Sequence, residues 1–312
     1  MRAKSNVRDR LPPDIRVLER GWLSSNNVLL LGRDRTALVD SGYTTHSDQT
    51  LALVEHGLLG QSLDLLVNTH LHSDHCGGNS VLQARYPELR TLIPPGEADA
   101  VRQWDESKLS YRATGQECPR FKFDSTLQPG TLVDLGDRAW QVHAAPGHDP
   151  HAVLLFEPIS RVLISGDALW ERGFGVVFPE MWGEPSFVEV GATLDLIESL
   201  RPACVVPGHG AAFDQVDIAL AAARERLEVF VRSPDKHARH AFKVLIKFKL
   251  LDAKQISRSA LAAWLEGAEY LEQMRQRFAP DRNIREWSAD LIRELIRSGA
   301  AREEGDFILD SP

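Results

Sequence analysis

The chain is short of the features that would mark a secreted, membrane-spanning or nucleic-acid-coating protein. It has 3 cysteines in 312 residues, Cys76, Cys118 and Cys204, odd in number, far apart and without a C-x-x-C pair. Neither a disulfide framework nor a cysteine-based zinc site is expected from that spacing. No run of about 18 apolar residues occurs, so a membrane-spanning helix is not expected. Met1 to Arg10 holds basic residues with no apolar stretch behind it, which argues against a secretion signal and makes a cytoplasmic protein the expectation. Acidic residues outnumber basic ones, 44 to 36, for a net charge of −8. That balance disfavours a nucleic-acid surface spread over the whole chain. No G-x-S-x-G elbow is found, so an activated serine is not the expected nucleophile.

What remains is an ordinary globular composition, 43% hydrophobic and 26% charged, long enough for one large domain or two smaller ones. Up to about residue 165, strand-length apolar runs recur at Asn27 to Leu31, Ala37 to Asp40, Leu63 to Asn68, Ala139 to Ala144, Ala152 to Phe156 and Val162 to Ser165. Helical patterns lie between some of them, over His46 to Glu55 and Asn79 to Tyr86. Mixed runs of this kind predict sheets covered by helices, an α/β architecture. Ser186-Phe187-Val188-Glu189 has the form of a capping box ahead of a helix. A second helix is expected from Asp214 to about Val231, where Ser233-Pro234 interrupts the pattern.

Beyond Arg232 the texture turns helical, which places a domain boundary between 231 and 232. Helices are expected over Ala238 to Leu251, Ser259 to about Phe278 and Trp287 to Arg297, followed by the strand-like Phe307-Ile308-Leu309. Helices followed by a small β-ribbon suggest a winged-helix-like module.

The strongest chemical signal is Thr69-His70-Leu71-His72-Ser73-Asp74-His75-Cys76-Gly77-Gly78-Asn79, which follows an apolar run. Three of the chain's 11 histidines and a carboxylate fall within six positions. Imidazole nitrogen and carboxylate oxygen are ligands for a borderline-soft divalent ion such as zinc. Four of them on one short turn cannot easily converge on a single ion, because extended residues alternate sides and helical ones sweep round an axis. Two neighbouring ions are the simpler expectation. Cys76, inside this turn, is expected to be a small buried residue rather than a ligand. Pro146-Gly147-His148-Asp149, Ser165-Gly166-Asp167 and Pro207-Gly208-His209-Gly210 each set a metal-capable side chain beside a glycine that lets the backbone bend closely.

In this order the motifs resemble the metallo-β-lactamase superfamily, over about residues 15 to 231. The resemblance implies an αββα sandwich with metals held at one edge by loops between strands and helices. It also implies that His70, His72 and His148 hold one metal, that Asp74, His75 and His209 hold the other, and that Asp167 bridges them. True lactamases of the family commonly carry a cysteine where Asp167 stands and are exported, so antibiotic hydrolysis is not expected. The Thr69 to Asn79 string is similar to glyoxalase II and related thioester hydrolases, which hold two ions; persulfide dioxygenases share the fold but use one iron and fewer ligands. Asp40, ending the run Ala37-Leu38-Val39, resembles the family's early aspartate and is expected to orient a ligand by hydrogen bonding.

Two divalent ions about 3.5 to 4 Å apart can share a water, lower its pKa and supply hydroxide at neutral pH. The cofactor expected is therefore a pair of divalent ions, zinc first, with manganese or iron able to use the same donors. Asp74 is the expected catalytic residue, binding a metal and accepting a hydrogen bond from the nucleophile. The expected function is hydrolysis of a small ester, thioester or lactone. An endoribonuclease or phosphodiesterase is the alternative, because residues 232 to 258 hold eight Lys and Arg, which could contact phosphates. A non-catalytic protein that keeps the scaffold is disfavoured by the complete ligand set. The aromatic and glycine-rich segment 168 to 182 either walls a substrate pocket or packs against the C-terminal module.

Overall fold

The computed structural model describes residues 10–311. The basic N-terminal segment up to residue 9 lies outside the described residues. The chain divides into two compact units, one formed by the residues to Leu109 with Glu117–Leu227, the other by Ser110–Gln116 and the residues from Glu228.

The first unit is built on two sheets. The six-stranded sheet runs β1 (Ile15–Leu18), β2 (Asn27–Leu30), β3 (Ala37–Val39), β4 (Leu65–Val67), β5 (Arg90–Ile93) and β6 (Ser125–Thr126), antiparallel as far as β3 and parallel from there. The five-stranded sheet is ordered β11 (Cys204–Pro207), β10 (Val162–Gly166), β9 (Val153–Glu157), β8 (Arg138–Ala144) and β7 (Leu132–Leu135), with only the β10–β11 pair parallel.

Side chains alternate faces along a strand, and here both faces are used. Val28, Leu30, Val39 and Val67 of the first sheet join Trp140, Val142, Val153, Leu155 and Ile164 of the second in one apolar core. Leu29, Leu38 and Leu66 point the other way and pack with Val54 and Leu58 of α1 (Ser47–Leu58) and with Leu82 of α3 (Asn79–Arg85), which follows the single turn α2 (Ser73–Cys76). β3 and β4 are therefore apolar at every position and β2 at all but Asn27, which is what makes these runs conspicuous in the sequence. Beside the second sheet, α6 (Ser186–Leu200) buries Phe187, Val190, Leu194 and Ile197. Its Thr193 hydroxyl donates to the carbonyl of Pro146, 2.8 Å away, so the helix braces the turn that carries His148.

The capping box expected at Ser186 does not form. Ser186 is already the first helical residue, its hydroxyl makes no side-chain cap bond, and the Phe187 amide instead donates to the Glu180 carboxylate at 2.9 Å. The upstream turn Pro179–Trp182 brings Glu180 there, so a carboxylate seven positions away does what the serine would have done.

The second unit contains α5 (Tyr111–Thr114), α8 (Pro234–Ala253), α9 (Arg258–Gly267), α10 (Glu269–Phe278) and α11 (Ile284–Arg297), with a small antiparallel sheet in the order β12 (Gln255–Ser257), β14 (Phe307–Asp310), β13 (Ala301–Glu304). The intervening α4 (Ala98–Gln103) belongs to the first unit, and α7 (Val216–Arg232) contains the division at Leu227. Pro234 opens α8, where a missing amide hydrogen costs nothing. Phe242 of α8 meets Trp287 of α11 edge-on at 4.5 Å. The single helix expected over 259 to 278 is two, because Ala268 adopts an extended conformation that ends α9 and starts α10.

The basic stretch 232 to 258 turns largely onto the unit's own carboxylates. Arg239 and Lys243 both engage Glu294, Lys247 pairs with Asp310, Lys249 with Asp252, Arg258 with Glu303 and Arg232 with Glu228. Among the described residues no helix is long and apolar enough to cross a membrane.

Candidate metal centre

All four motif stretches leave the ends of strands on one edge of the first unit. His70 follows β4 by three residues, His148 follows β8, Asp167 follows β10 and His209 follows β11. Backbone hydrogen bonds tie the stretches together. Val153 N–H donates to the carbonyl of Thr69 at 2.8 Å, Gly208 N–H to that of Gly166 at 2.7 Å, and Asn26 N–H to that of Gly208 at 2.6 Å. Glycine is required at 208, since an added Cβ would overlap the Asp167 carboxylate and fall 2.8 Å from the His75 ring.

The seven side chains expected at the site converge. His70, His72 and His148 form one cluster, Asp74, His75 and His209 a second, and His70, His75 and Asp167 a third, each with its donor atoms within 4.8 Å of one another. His70 Nε2 lies 3.1 Å from His72 Nδ1. Asp167 is central, with Oδ2 3.4 Å from His148 Nε2 and 3.9 Å from His209 Nε2, and Oδ1 3.4 Å from His75 Nε2. Asp74 Oδ2 is 3.1 Å from His209 Nε2.

The outer edges of the rings are held by the protein. His148 Nδ1 bonds the carbonyl of Val176 at 2.6 Å, and His75 Nδ1 bonds Asp40 Oδ2 at 2.8 Å. Asp40 also accepts from the Thr69 amide and hydroxyl, both at 2.8 Å. It does so with φ +59°, in the left-handed region. Aspartate tolerates that region better than most residues, and such conformations persist where surroundings fix them. Asp40 was expected to orient a ligand, and it contacts His75 directly.

Inward-facing nitrogens are left over. His75 Nε2 and His148 Nε2 are buried and have no hydrogen-bond partner. A buried polar atom left unpaired costs about 1–3 kcal/mol, and two of them aimed at one carboxylate in a nest of nitrogen and oxygen donors fit a divalent cation. The protonation states match. Burial, then the neighbouring rings of His75, His72 and His148, pushes His70 well down. Burial pushes His148 down to about 4 and lowers His72 also, so these rings are neutral, the form a metal ligand requires. Against the effect of burial, His75 and His209 hold the Asp167 carboxyl well below its usual range. Burial would lower His75 too, but three carboxylates, Asp167, Asp40 and Asp74, outweigh it and raise the ring well above its ordinary value. A cation at this ring therefore replaces a proton.

Sequence reading missed Trp22 and Asp149. Asp149 Oδ2 stands 3.8 Å from His72 Nε2, and its position next to His148 was the available signal. Trp22 gave none, because the β1–β2 loop reaches the site only through the sheet order. Its ring stacks on His209 at 5.5 Å and meets Trp170 edge-on at 5.4 Å, yet remains 56% exposed. Trp170 Nε1 donates to Asp167 Oδ1 at 3.1 Å, and Phe178 approaches His72 at 6.4 Å. The segment 168 to 182 thus flanks the His and Asp cluster. Cys76 is buried beside the cluster, as expected.

Residues 20–209 match the family model described as the metallo-beta-lactamase superfamily. The chain belongs to that superfamily. It is 32% identical to a hydroxyacylglutathione hydrolase of Synechococcus sp. (strain JA-3-3Ab), over 53% of this chain and 57% of that one. It is 26% identical to the acyl-coenzyme A thioesterase MBLAC2 of Gallus gallus, over 62% of this chain and 76% of the relative. The chain thus spans little more than half the length of the hydroxyacylglutathione hydrolase. Among solved structures, a metallo-beta-lactamase family protein of Thermus thermophilus, TTHA1429, matches 96% of this chain and 99% of its own with a TM-score of 0.57 at 20% identity, a likeness of fold. TTHA1623, solved in a di-iron-bound form, matches 67% of this chain and 98% of its own at 25% identity with a TM-score of 0.53.

Proposed function

We propose that the protein is a dinuclear metal-dependent hydrolase whose substrates are acyl thioesters, with small esters and lactones as related substrates. The observation that carries this reading is the convergence of seven donors in three overlapping clusters, joined through His70 and His75, with Asp167 in the middle one. His70, His72 and His148 would hold one ion, Asp74, His75 and His209 the other, and Asp167 would contact both. When bound, a pair of divalent cations, zinc in this proposal, supplies Lewis acidity and a hydroxide nucleophile at neutral pH.

The chain's own residues prepare the chemistry. Asp40 and the Val176 carbonyl fix the ring orientation of His75 and His148, so that their Nε2 atoms face inward. Asp74 is proposed as the catalytic residue. With Oδ2 engaged by His209, its carboxylate accepts a hydrogen bond from the attacking water and aims it. Trp22, Trp170 and Phe178 offer apolar surface beside the cluster, suited to the acyl chain of a thioester and to excluding bulk water. The thioester relatives support the leaving-group class.

A phosphodiester substrate is the lesser reading, because six of the eight cations of residues 232 to 258 already face intramolecular carboxylates. We also read the second unit as winged-helix-like, on the strength of α11 followed by the β13–β14 hairpin, with the domain boundary near residue 231. The protein is assigned to the cytoplasm. The test is metal analysis of purified protein followed by a panel of acyl-coenzyme A and acylglutathione thioesters, esters, lactones and short RNA, with His72→Ala as control. Thiol release lost in His72→Ala is expected. RNA cleavage without thioester turnover overturns the proposal.

A further inference from the structure

Cys76 and Cys118 stand 42 positions apart, and the fold brings their sulfurs to 3.7 Å. We propose that this pair is a redox site: oxidant converts it to a disulfide, and the bond slackens the turn that carries the metal-ligand candidates. Neither sulfur is placed by a loose segment. Cys76 ends α2, directly after His75. Near Cys118, the Glu117 amide donates to the hydroxyl of buried Tyr43 at 3.2 Å. A disulfide has its sulfurs about 2.05 Å apart, so closure takes an approach of roughly 1.7 Å, within reach of side-chain rotation and a small backbone shift.

The Cys76 thiol has a structural task that oxidation removes. Its S–H faces the carbonyls of Leu71 at 3.5 Å and His72 at 3.3 Å, one donor tying the sulfur to the stretch between His70 and Ser73. A disulfide sulfur carries no proton, so the buried Leu71 carbonyl loses that donor, while the His72 carbonyl keeps only the His75 and Cys76 amides at 2.9 and 3.2 Å and the sulfur is drawn toward residue 118. Disturbing groups that orient ligands typically weakens metal binding 10–100-fold.

The chemistry balances with a peroxide as oxidant. Cys118 is the more accessible of the two, at 7% against 0% exposure. Its sulfur attacks one peroxide oxygen, the S–O bond forms, the O–O bond breaks and water leaves, giving a sulfenic acid. Cys76 sulfur then attacks Cys118 sulfur, the S–S bond forms, the S–O bond breaks, and the departing hydroxide takes the Cys76 proton as a second water. Two thiols are oxidised by two electrons and one peroxide is reduced to two waters. A thiol reductant reverses the step by exchange. Cys204 is an internal reference, since burial, with Asp214 beside it, pushes its thiol up to about 11.

The experiment uses the zinc-loaded protein and graded hydrogen peroxide, followed by denaturation, thiol counting and peptide mapping. Expected are a fall from three titratable thiols to one, a cross-linked peptide pair containing Cys76 and Cys118, and recovery with dithiothreitol. Cys204→Ser should fall from two thiols to none, and Cys118→Ser should give no intramolecular cross-link. Zinc release to a chromogenic chelator should rise with the cross-linked fraction in wild type, with affinity weakened 10–100-fold. The wild-type peptide map stands even if Cys118→Ser does not fold. Persistence of three thiols, a bridge through Cys204, or sulfinic acid at Cys118 without a bridge overturns the redox site. A bridge that leaves zinc affinity unchanged overturns its effect on the turn.

Discussion

Asp40 Oδ2 lies 2.8 Å from His75 Nδ1, and the same carboxylate receives the Thr69 amide. One side chain at the end of β3 therefore sets both the tautomer of His75 and the path of the chain into His70. Asp40→Asn keeps the shape but substitutes an amide for one oxygen, so metal affinity should fall about 10–100-fold while the fold persists. Chelator competition against wild type measures it, and equal affinities would show that Asp40 has no bearing on the ligand.

Gly208→Ala tests the closeness of the packing between the β10 and β11 turns. The added methyl overlaps the Asp167 carboxylate and crowds His75, so either the carboxylate moves or the turn does. Metal stoichiometry should drop, together with a destabilisation of about 1–3 kcal/mol typical of overpacking. Calorimetry and metal analysis on the same sample separate the two effects.

Trp22→Ala should leave stability nearly intact, because the ring is more than half exposed while the loop around it is pinned. Arg20 donates to Asn27 at 2.7 Å, and the Asn26 side-chain amide donates to the Pro207 and Gly210 carbonyls. An aromatic contact is worth about 0.5–1.5 kcal/mol, so KM for thioesters with large apolar acyl groups should rise roughly 2- to 13-fold. An acetyl thioester should be little affected. Equal changes for both would remove Trp22 from substrate recognition.

Away from the site, Arg138, the first residue of β8, ties the second sheet to the residue before β1 by donating to Asp14 through Nε at 2.6 Å and Nη2 at 2.9 Å. These hydrogen bonds hold the Asp14 carboxyl below its usual range. A depressed folded-state value gives stability that is complete above the unfolded value, about 3.9, and is lost as pH falls through the folded value. Arg138→Gln should therefore cost about 0.5–1.5 kcal/mol near neutral pH, a range that allows for solvent screening of a partly exposed pair. The difference should shrink toward zero in acid, as followed by denaturant unfolding at several pH values.

Legibility in the sequence followed physical cause. Strands apolar on both faces, such as Ala37–Val39 and Val153–Glu157, announced themselves because helices and a second sheet cover them. Short or mixed strands such as Arg90–Ile93, Ser125–Thr126 and Leu132–Leu135 did not, since their burial alternates or fails and their pairing supplies what composition does not. The cap of α6 was misread for the same reason, its carboxylate arriving from an upstream turn. Four candidate ligands were visible in the dense His70 to His75 cluster and three, His148, Asp167 and His209, beside a glycine, and the family's motif order grouped them. Trp22, the thiol pair and the carboxylate partners Glu294, Glu303 and Asp310 depend on contacts between distant positions, which local patterns do not encode.

Asn26 hydrogen-bonds Pro207, a residue 181 positions downstream, and its backbone clasps Gly208. The pocket edge next to His209 is thus closed only after nearly the entire first unit has been laid down. A nascent chain halted before β11 would present the early histidines without their last counterpart, so the proposed loading of two ions waits on completion of the unit that would carry them.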